Sequence, residues 1–140
     1  MGAIFRTADA IGVSKIYLTG YTPAPTDRFG NAREDFHKAA LGAEKTVLWE
    51  SYKNPAKLLE KFKKEKIEIV AVEQSPKSID YKKYKPTPKT ALILGNEVGG
   101  VPAVILKKCD KVISIPMRGK KESLNVATSA GIVLFRLFDY

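Results

Sequence analysis

Apolar and polar positions change in blocks along the 140 residues. GAIFRTADAIG (2–12) sets Ile4, Ala8 and Ile11 on one side of a helical period, so a short helix is expected there. KIYLTG (15–20) reads as a strand, and YTPAPTDRFGNARED (21–35) as a long loop of Pro, Gly and Asx residues. FHKAALGAE (36–44) is a short helix that Gly42 should end, and TVLWE (46–50) is the next strand. Asn54 followed by Pro55 is a start signal for an amphipathic helix running to about Lys66. IEIVAVE (67–73) is a β-branched strand, and QSPKSIDYKKYKPTPK (74–89) is a polar connection. TALILG (90–95) is mostly apolar, as a buried parallel strand is. VPAVILKKC (101–109) reads as a helix with Pro102 near its start, KVISIP (111–116) as a strand, and LNVATSAGIVLFRLF (124–138) as the last helix.

Repeated strand–helix alternation with apolar strands predicts an α/β domain on a parallel sheet. No internal repeat or linker interrupts it, so residues 1–140 are expected to form a single domain. The last helix carries Ile132, Val133, Leu134, Phe135, Leu137 and Phe138, too many for one narrow stripe. Burial on several sides is expected, by a monomer core or by a second copy.

Composition narrows the class. Hydrophobic residues are 44% and charged residues 28%, as in a folded globule. No uninterrupted apolar stretch reaches the length of about 18 residues that a membrane span needs, so no membrane partner is expected. MGAIFRTADAIG lacks the cationic start and long apolar centre of a secretory signal. Cys109 is the only cysteine, which excludes an internal disulfide and a Cys-based zinc site. His37 is the only histidine, and no metal site is expected. A reducing cytoplasm fits this cysteine usage. The net charge of +9, from 24 Lys and Arg against 15 Asp and Glu, favours a polyanionic partner such as RNA. A solvated Lys-rich surface explains the same number equally well.

Ligands of open parallel sheets bind beyond the carboxyl ends of the strands. Two strands here run into glycine-containing loops, GNEVGG (95–100) and PMRGKKESLN (116–125). Glycines let a backbone approach a ligand closely. Neither loop matches G-x-G-x-x-G or the P-loop pattern. Taken alone, GNEVGG reads better as a tight turn than as a ligand cradle.

Three segments taken together carry a resemblance. G-x-x-x-R-T-A (Gly2 to Ala8), L-G-N-E-V-x-G-V (Leu94 to Val101) and I-P-M-x-G-x-x-x-S-L-N-V-A (Ile115 to Ala127) resemble, in order and rough spacing, the three motifs of the SpoU/TrmH family. K-A-A-L-G-A-E (Lys38 to Glu44) is similar to the family too, so the likeness covers nearly the whole chain. The family consists of S-adenosylmethionine-dependent RNA ribose 2′-O-methyltransferases of the SPOUT class. The resemblance implies methylation of a ribose 2′-hydroxyl in tRNA or rRNA, with S-adenosyl-L-methionine as cofactor. It also implies a parallel-sheet SPOUT fold whose C-terminal part forms a deep trefoil knot, and a homodimer with the active site near the interface.

The same resemblance distributes roles. Arg6 would serve the 2′-hydroxyl. Because an arginine stays protonated, binding an RNA phosphate and stabilising the developing alkoxide suits it better than taking a proton. Leu94, Gly95, Asn96 and Gly99 would bring backbone against the donor. Glu97 would orient Arg6 or fix the loop, or is simply a solvated acid ahead of a helix N-terminus. Ile115, Met117 and Leu124 would line the adenine pocket, with Ser123 and Asn125 at its mouth near the acceptor ribose. Ser123 is equally a good N-cap, a role worth about 1 kcal/mol. Asn125 would then fall inside the first helical turn, where Asn is a weak helix former, so it is the stronger site candidate. Arg28, Arg33, His37, Lys38 and Arg118 would meet RNA phosphates, whereas the lysines between 53 and 89 read as a solvated face.

The family's first motif begins with an Asn two residues before its glycine, and a strand precedes it. Here Gly2 follows Met1, so neither has a position and the first strand is expected to be missing. That departure raises an alternative, a catalytically inactive relative that binds RNA and donor. A third reading is an unrelated nucleotide-binding α/β domain, supported only by GNEVGG and the basic charge.

Overall fold

The computed structural model describes residues 1–139. They divide into two compact units, residues 1–55 and 56–139. The expected α/β alternation is present and every paired strand is parallel, in two sheets.

The first unit holds α1 (Gly2–Ile11), β1 (Lys15–Thr19), α2 (Glu34–Ala40), α3 (Ala43–Thr46) and β2 (Leu48–Tyr52). β1 and β2 pair in parallel from Lys15↔Leu48 to Thr19↔Tyr52. α1 buries Ile4, Phe5 and Ala8, the i, i+4 spacing its sequence shows. Phe5 meets Phe36 of α2 edge to face, with ring centroids 5.2 Å apart, and these rings sit in a core with Leu18, Ala40, Ala43 and Val47. The single helix expected over 36–44 is two helices. Leu41 and Gly42 both take left-handed backbone, with φ of 51° and 89°, so the chain breaks its ladder and restarts. β2 consequently begins two residues later than its apolar pattern suggests.

α4 (Pro55–Lys64) buries Leu58, Leu59 and Phe62 and ends in Lys61, Lys63 and Lys64, where cations suit the helix dipole. The second unit then adds β3 (Glu68–Val72), β4 (Ile79–Asp80), β5 (Thr90–Leu94), α5 (Ala103–Leu106), β6 (Lys111–Ser114) and α6 (Val126–Phe138). Its sheet has the order β4-β6-β3-β5. β3 is central, and its Ile69, Val70 and Ala71 are fully buried. Val70, Tyr84, Ile113, Val133 and Leu137 form one core cluster.

Four expectations change here. β4 lies inside the segment 74–89 that reads as a plain polar connection. β5 is an edge strand and half-buried throughout, although its apolar run reads as a buried one. The helix expected over 101–109 is reduced to a single turn behind Pro102. α6 buries one stripe, Ala130, Val133, Leu134 and Leu137, while Phe135 stays 43% exposed. Among the described residues the chain itself thus fully buries one side of α6. Among the described residues no helix is long and apolar enough to cross a membrane.

Candidate functional site

In the second unit the carboxyl ends of β5, β3 and β6 lie side by side, at Leu94, Val72 and Ser114. The chain leaving each end helps to wall a cleft of about 400 Å³. This is where an open parallel sheet places its ligands.

The loop after β5 is tightly closed. Gly100 N donates to Asn96 O at 2.8 Å, and Asn96 N donates back to Gly100 O at 3.2 Å. The Asn96 side-chain oxygen accepts from Val98 N at 2.8 Å and Gly99 N at 3.4 Å, a side chain standing in for a backbone turn. Asn96 thus acts first as a loop former, which is a fuller account of it than ligand contact. Gly95 is required by space: a Cβ there would lie 2.5 Å from Val101 N and 2.8 Å from Gly100 Cα.

The chain after β3 adds two residues that sequence reading passed over. Glu73 Oε2 accepts from Val101 N at 2.8 Å, and its Oε1 accepts from Gln74 N at 2.9 Å. Gln74 Nε2 donates to Ile115 O at 2.7 Å. The available signal was positional: a polar Glu–Gln pair directly follows the β-branched run 67–72.

The loop after β6 is different. Ser114 is buried, and its hydroxyl accepts from Ser78 Oγ at 2.7 Å. Residues 116–124 make no hydrogen bond among the described residues. Asn125, not Ser123, caps α6: its Oδ1 accepts from Ala127 N at 2.8 Å and Thr128 N at 3.3 Å. The expectation that Asn125 escapes a capping explanation is therefore overturned. The helix starts one residue after it, and its amide oxygen satisfies orphan N–H groups of the first turn.

Of the expected donor contacts, Leu94, Gly95, Asn96, Glu97 and Gly99 line the cleft. Ile115, Ser123 and Leu124 line it too. Met117, Asn125 and Arg118 do not, Met117 being half-buried off the lining. The charged side chains on the lining are Glu73, Glu97 and Glu122, all acidic, in a chain whose net charge is +9.

The first unit carries the remaining candidates. Arg6 is exposed on α1 and makes no ion pair among the described residues. Asp9, the acidic residue of the same helix, accepts from Thr46 Oγ1 at 2.6 Å. The Arg28 guanidinium lies 4.7 Å from the Phe29 ring centroid, and Arg33 pairs with Asp35 at 3.1 Å. Lys38 is exposed. His37 Nδ1 meets Glu44 Oε1, while Glu44 Oε2 is buried without a partner. Burial pushes the Glu44 carboxyl up, but the hydrogen bonds from His37 and the backbone outweigh it and hold the group below its ordinary value.

Residues 1–135 match the model of the SpoU rRNA Methylase family. A tRNA (guanosine(18)-2′-O)-methyltransferase of Aquifex aeolicus is 37% identical over 133 residues, which cover 95% of this chain and 60% of the relative. A 23S rRNA (guanosine-2′-O-)-methyltransferase of Neisseria meningitidis is 37% identical over 134 residues, 96% of this chain and 51% of the relative. A solved AdoMet-bound rRNA methyltransferase from Sinorhizobium meliloti matches with a TM-score of 0.81 at 28% identity, over 96% of this chain and 49% of that one. The chain thus spans between half and three fifths of these curated relatives. With its three motifs in order and a family model that takes in nearly all of its residues, the chain belongs to the SpoU rRNA methylase family.

Proposed function

We propose that residues 1–140 are one catalytic domain of an RNA ribose 2′-O-methyltransferase, acting on tRNA or rRNA with S-adenosyl-L-methionine as methyl donor. One observation carries this reading: the cleft beyond β3, β5 and β6 is lined by residues of the second and third motifs. The names of the relatives, guanosine 2′-O-methyltransferases of tRNA and of 23S rRNA, support the substrate class.

The residues fit such a donor. The cleft volume of about 400 Å³ falls in the range of small-molecule sites, roughly 300–1,000 Å³. Leu94, Ile115 and Leu124 offer apolar surface for a base. Glu97 and Glu122 give a negative field that suits a cationic sulfonium. The donor, when bound, supplies a methyl group on positively charged sulfur, open to in-line attack by an oxygen. Ser123 contributes an exposed hydroxyl on the lining, and Glu97 an exposed carboxylate. Arg6 is assigned to the acceptor: its permanent charge binds an RNA phosphate and stabilises charge developing on the ribose oxygen. Arg28, Arg33, Lys38 and Arg118 hold further phosphates. Asn125 acts here by fixing where α6 begins.

The reading also includes a C-terminal trefoil knot, a homodimer, a cytoplasmic location and no metal. The exposed Phe135 on α6 supports a second copy as the cover of that helix face, and the single cysteine supports the compartment.

Calorimetry with S-adenosylmethionine, followed by transfer of labelled methyl to bulk RNA, tests the proposal. Donor binding and label on a ribose 2′-oxygen are expected. Absence of donor binding overturns the proposal, and binding without transfer selects the inactive relative. In the same assay Arg6→Ala should lower turnover about 100-fold while donor affinity holds. Near-wild-type rates in both Arg6→Ala and Arg6→Lys would remove Arg6 from the mechanism.

A further inference from the structure

We infer that Glu73 and Gln74 are positioning residues that brace the two motif loops against β3 and so set the shape of the donor cleft. The inference rests on reading that cleft as the donor site.

β3 is the one strand with a motif-bearing strand on each side, β5 on one and β6 on the other. Sheet pairing ends at Val72, opposite Leu94 and Ile113. The next residue still donates its N–H to Ile113 O at 2.9 Å. From there the two side chains act in opposite directions. Glu73 reaches the β5 side and holds Val101 N at 2.8 Å. Gln74 reaches the β6 side and holds Ile115 O at 2.7 Å. Val101 closes the second motif and Ile115 opens the third, so two adjacent residues tie both motifs to the central strand.

An acid on the wall of a cleft for a cationic ligand invites a simpler reading, direct charge pairing. The geometry argues against it for Glu73. Both of its carboxylate oxygens already accept main-chain N–H groups, from Val101 and from Gln74. Such charge-assisted bonds are roughly twice as strong as neutral ones, and they leave this carboxylate committed to the loop. Gly100 confirms the fit from the other side. A Cβ there would strike Glu73 Oε2, and its φ of 66° belongs to glycine. Glu97, by contrast, makes no hydrogen bond or ion pair through its side chain among the described residues and remains free to act by charge.

The test uses the whole chain, with S-adenosylmethionine and S-adenosylhomocysteine as calorimetric probes. The first is a sulfonium and the second a neutral thioether, so their ratio separates positioning from charge. Glu73→Ala should weaken both by the same factor, about ten-fold. In turnover, the donor KM should rise by that factor while kcat stays within about two-fold, the mark of lost uniform binding. Gly100→Ala should weaken both ligands as well, because it displaces the carboxylate and adds the strain of a left-handed alanine. In the double variant the second change should cost less than it does alone, since the two act on one contact. Thermal unfolding accompanies each measurement. If Glu73→Ala does not fold, Gln74→Ala replaces it, removing only the tie from an exposed side chain and predicting the same pattern at smaller size. Loss confined to the sulfonium ligand, unchanged affinity for both ligands, or full additivity with Gly100→Ala overturns the inference alone. A wild-type chain that binds neither ligand overturns the donor reading and this inference with it.

Discussion

Residues 95–101 and the end of the segment 116–124, at Glu122, Ser123 and Leu124, wall the same cleft, but the two segments are held in opposite ways. The first segment is closed by the Asn96–Gly100 pair, by the Asn96 side chain and by Glu73. The second makes no hydrogen bond among the described residues and carries Arg118, Lys120 and Lys121 in the open. A loop locked before binding costs little ordering when a ligand arrives. One without internal bonds has low local stability and can still adapt. The two motifs therefore divide the work: one wall is built in advance, and the other is left to be completed by what binds.

The strongest way to break this contrast is Gly95→Ala. The added methyl has nowhere to go, because its neighbours at 2.5 and 2.8 Å are main-chain atoms of Val101 and Gly100. Overpacking of this kind costs about 1–3 kcal/mol. Urea unfolding should show that loss, and donor binding should fall with it as the loop is pushed off Glu73. A fully stable variant that binds normally would mean that the first wall is not locked.

Next in size is Asn125→Ala, at the hinge between the open loop and α6. Loss of the cap should cost about 1 kcal/mol in thermal or urea unfolding, whereas Asn125→Asp or Asn125→Ser should retain most of it. A variant of unchanged stability with lost turnover would restore Asn125 as a site residue and remove the cap as its explanation.

Asn125 also shows where the sequence was legible and where it was not. Apolar periodicity finds α6, but Leu124 and Asn125 fit the same pattern as the helix proper, so the start is misplaced by two residues. A boundary is set by which side chain satisfies the first free N–H groups, and periodicity carries no trace of that. β5 fails for a related reason. Its composition records how apolar it is, while its edge position depends on the order β4-β6-β3-β5, which no local window contains. The parallel α/β class and both glycine loops were readable, because strand-end loops leave glycine and turn residues in the chain. The place of Glu73 and Gln74 after a strand was readable but their partners were not, because they bind main-chain atoms of Val101 and Ile115, 28 and 41 residues away.

The smallest effect is expected at Gly119, and it sharpens the contrast most economically. A Cβ built there meets nothing within 4 Å, and its backbone is not left-handed. Gly119→Ala should therefore change stability by less than about 0.5 kcal/mol. A slight gain would be no surprise, since alanine narrows the unfolded ensemble. The same replacement of hydrogen by methyl should thus be severe in one motif loop and nearly silent in the other. Hydrogen exchange on the wild-type chain gives the independent check. Amides of 118–124 should exchange fast in the free chain and gain protection when S-adenosylmethionine is added, while those of Gly100 and Val101, already bonded, should change less. Equal protection of the two loops before any ligand is added would remove the basis for treating them as fixed and adaptable halves of one cleft.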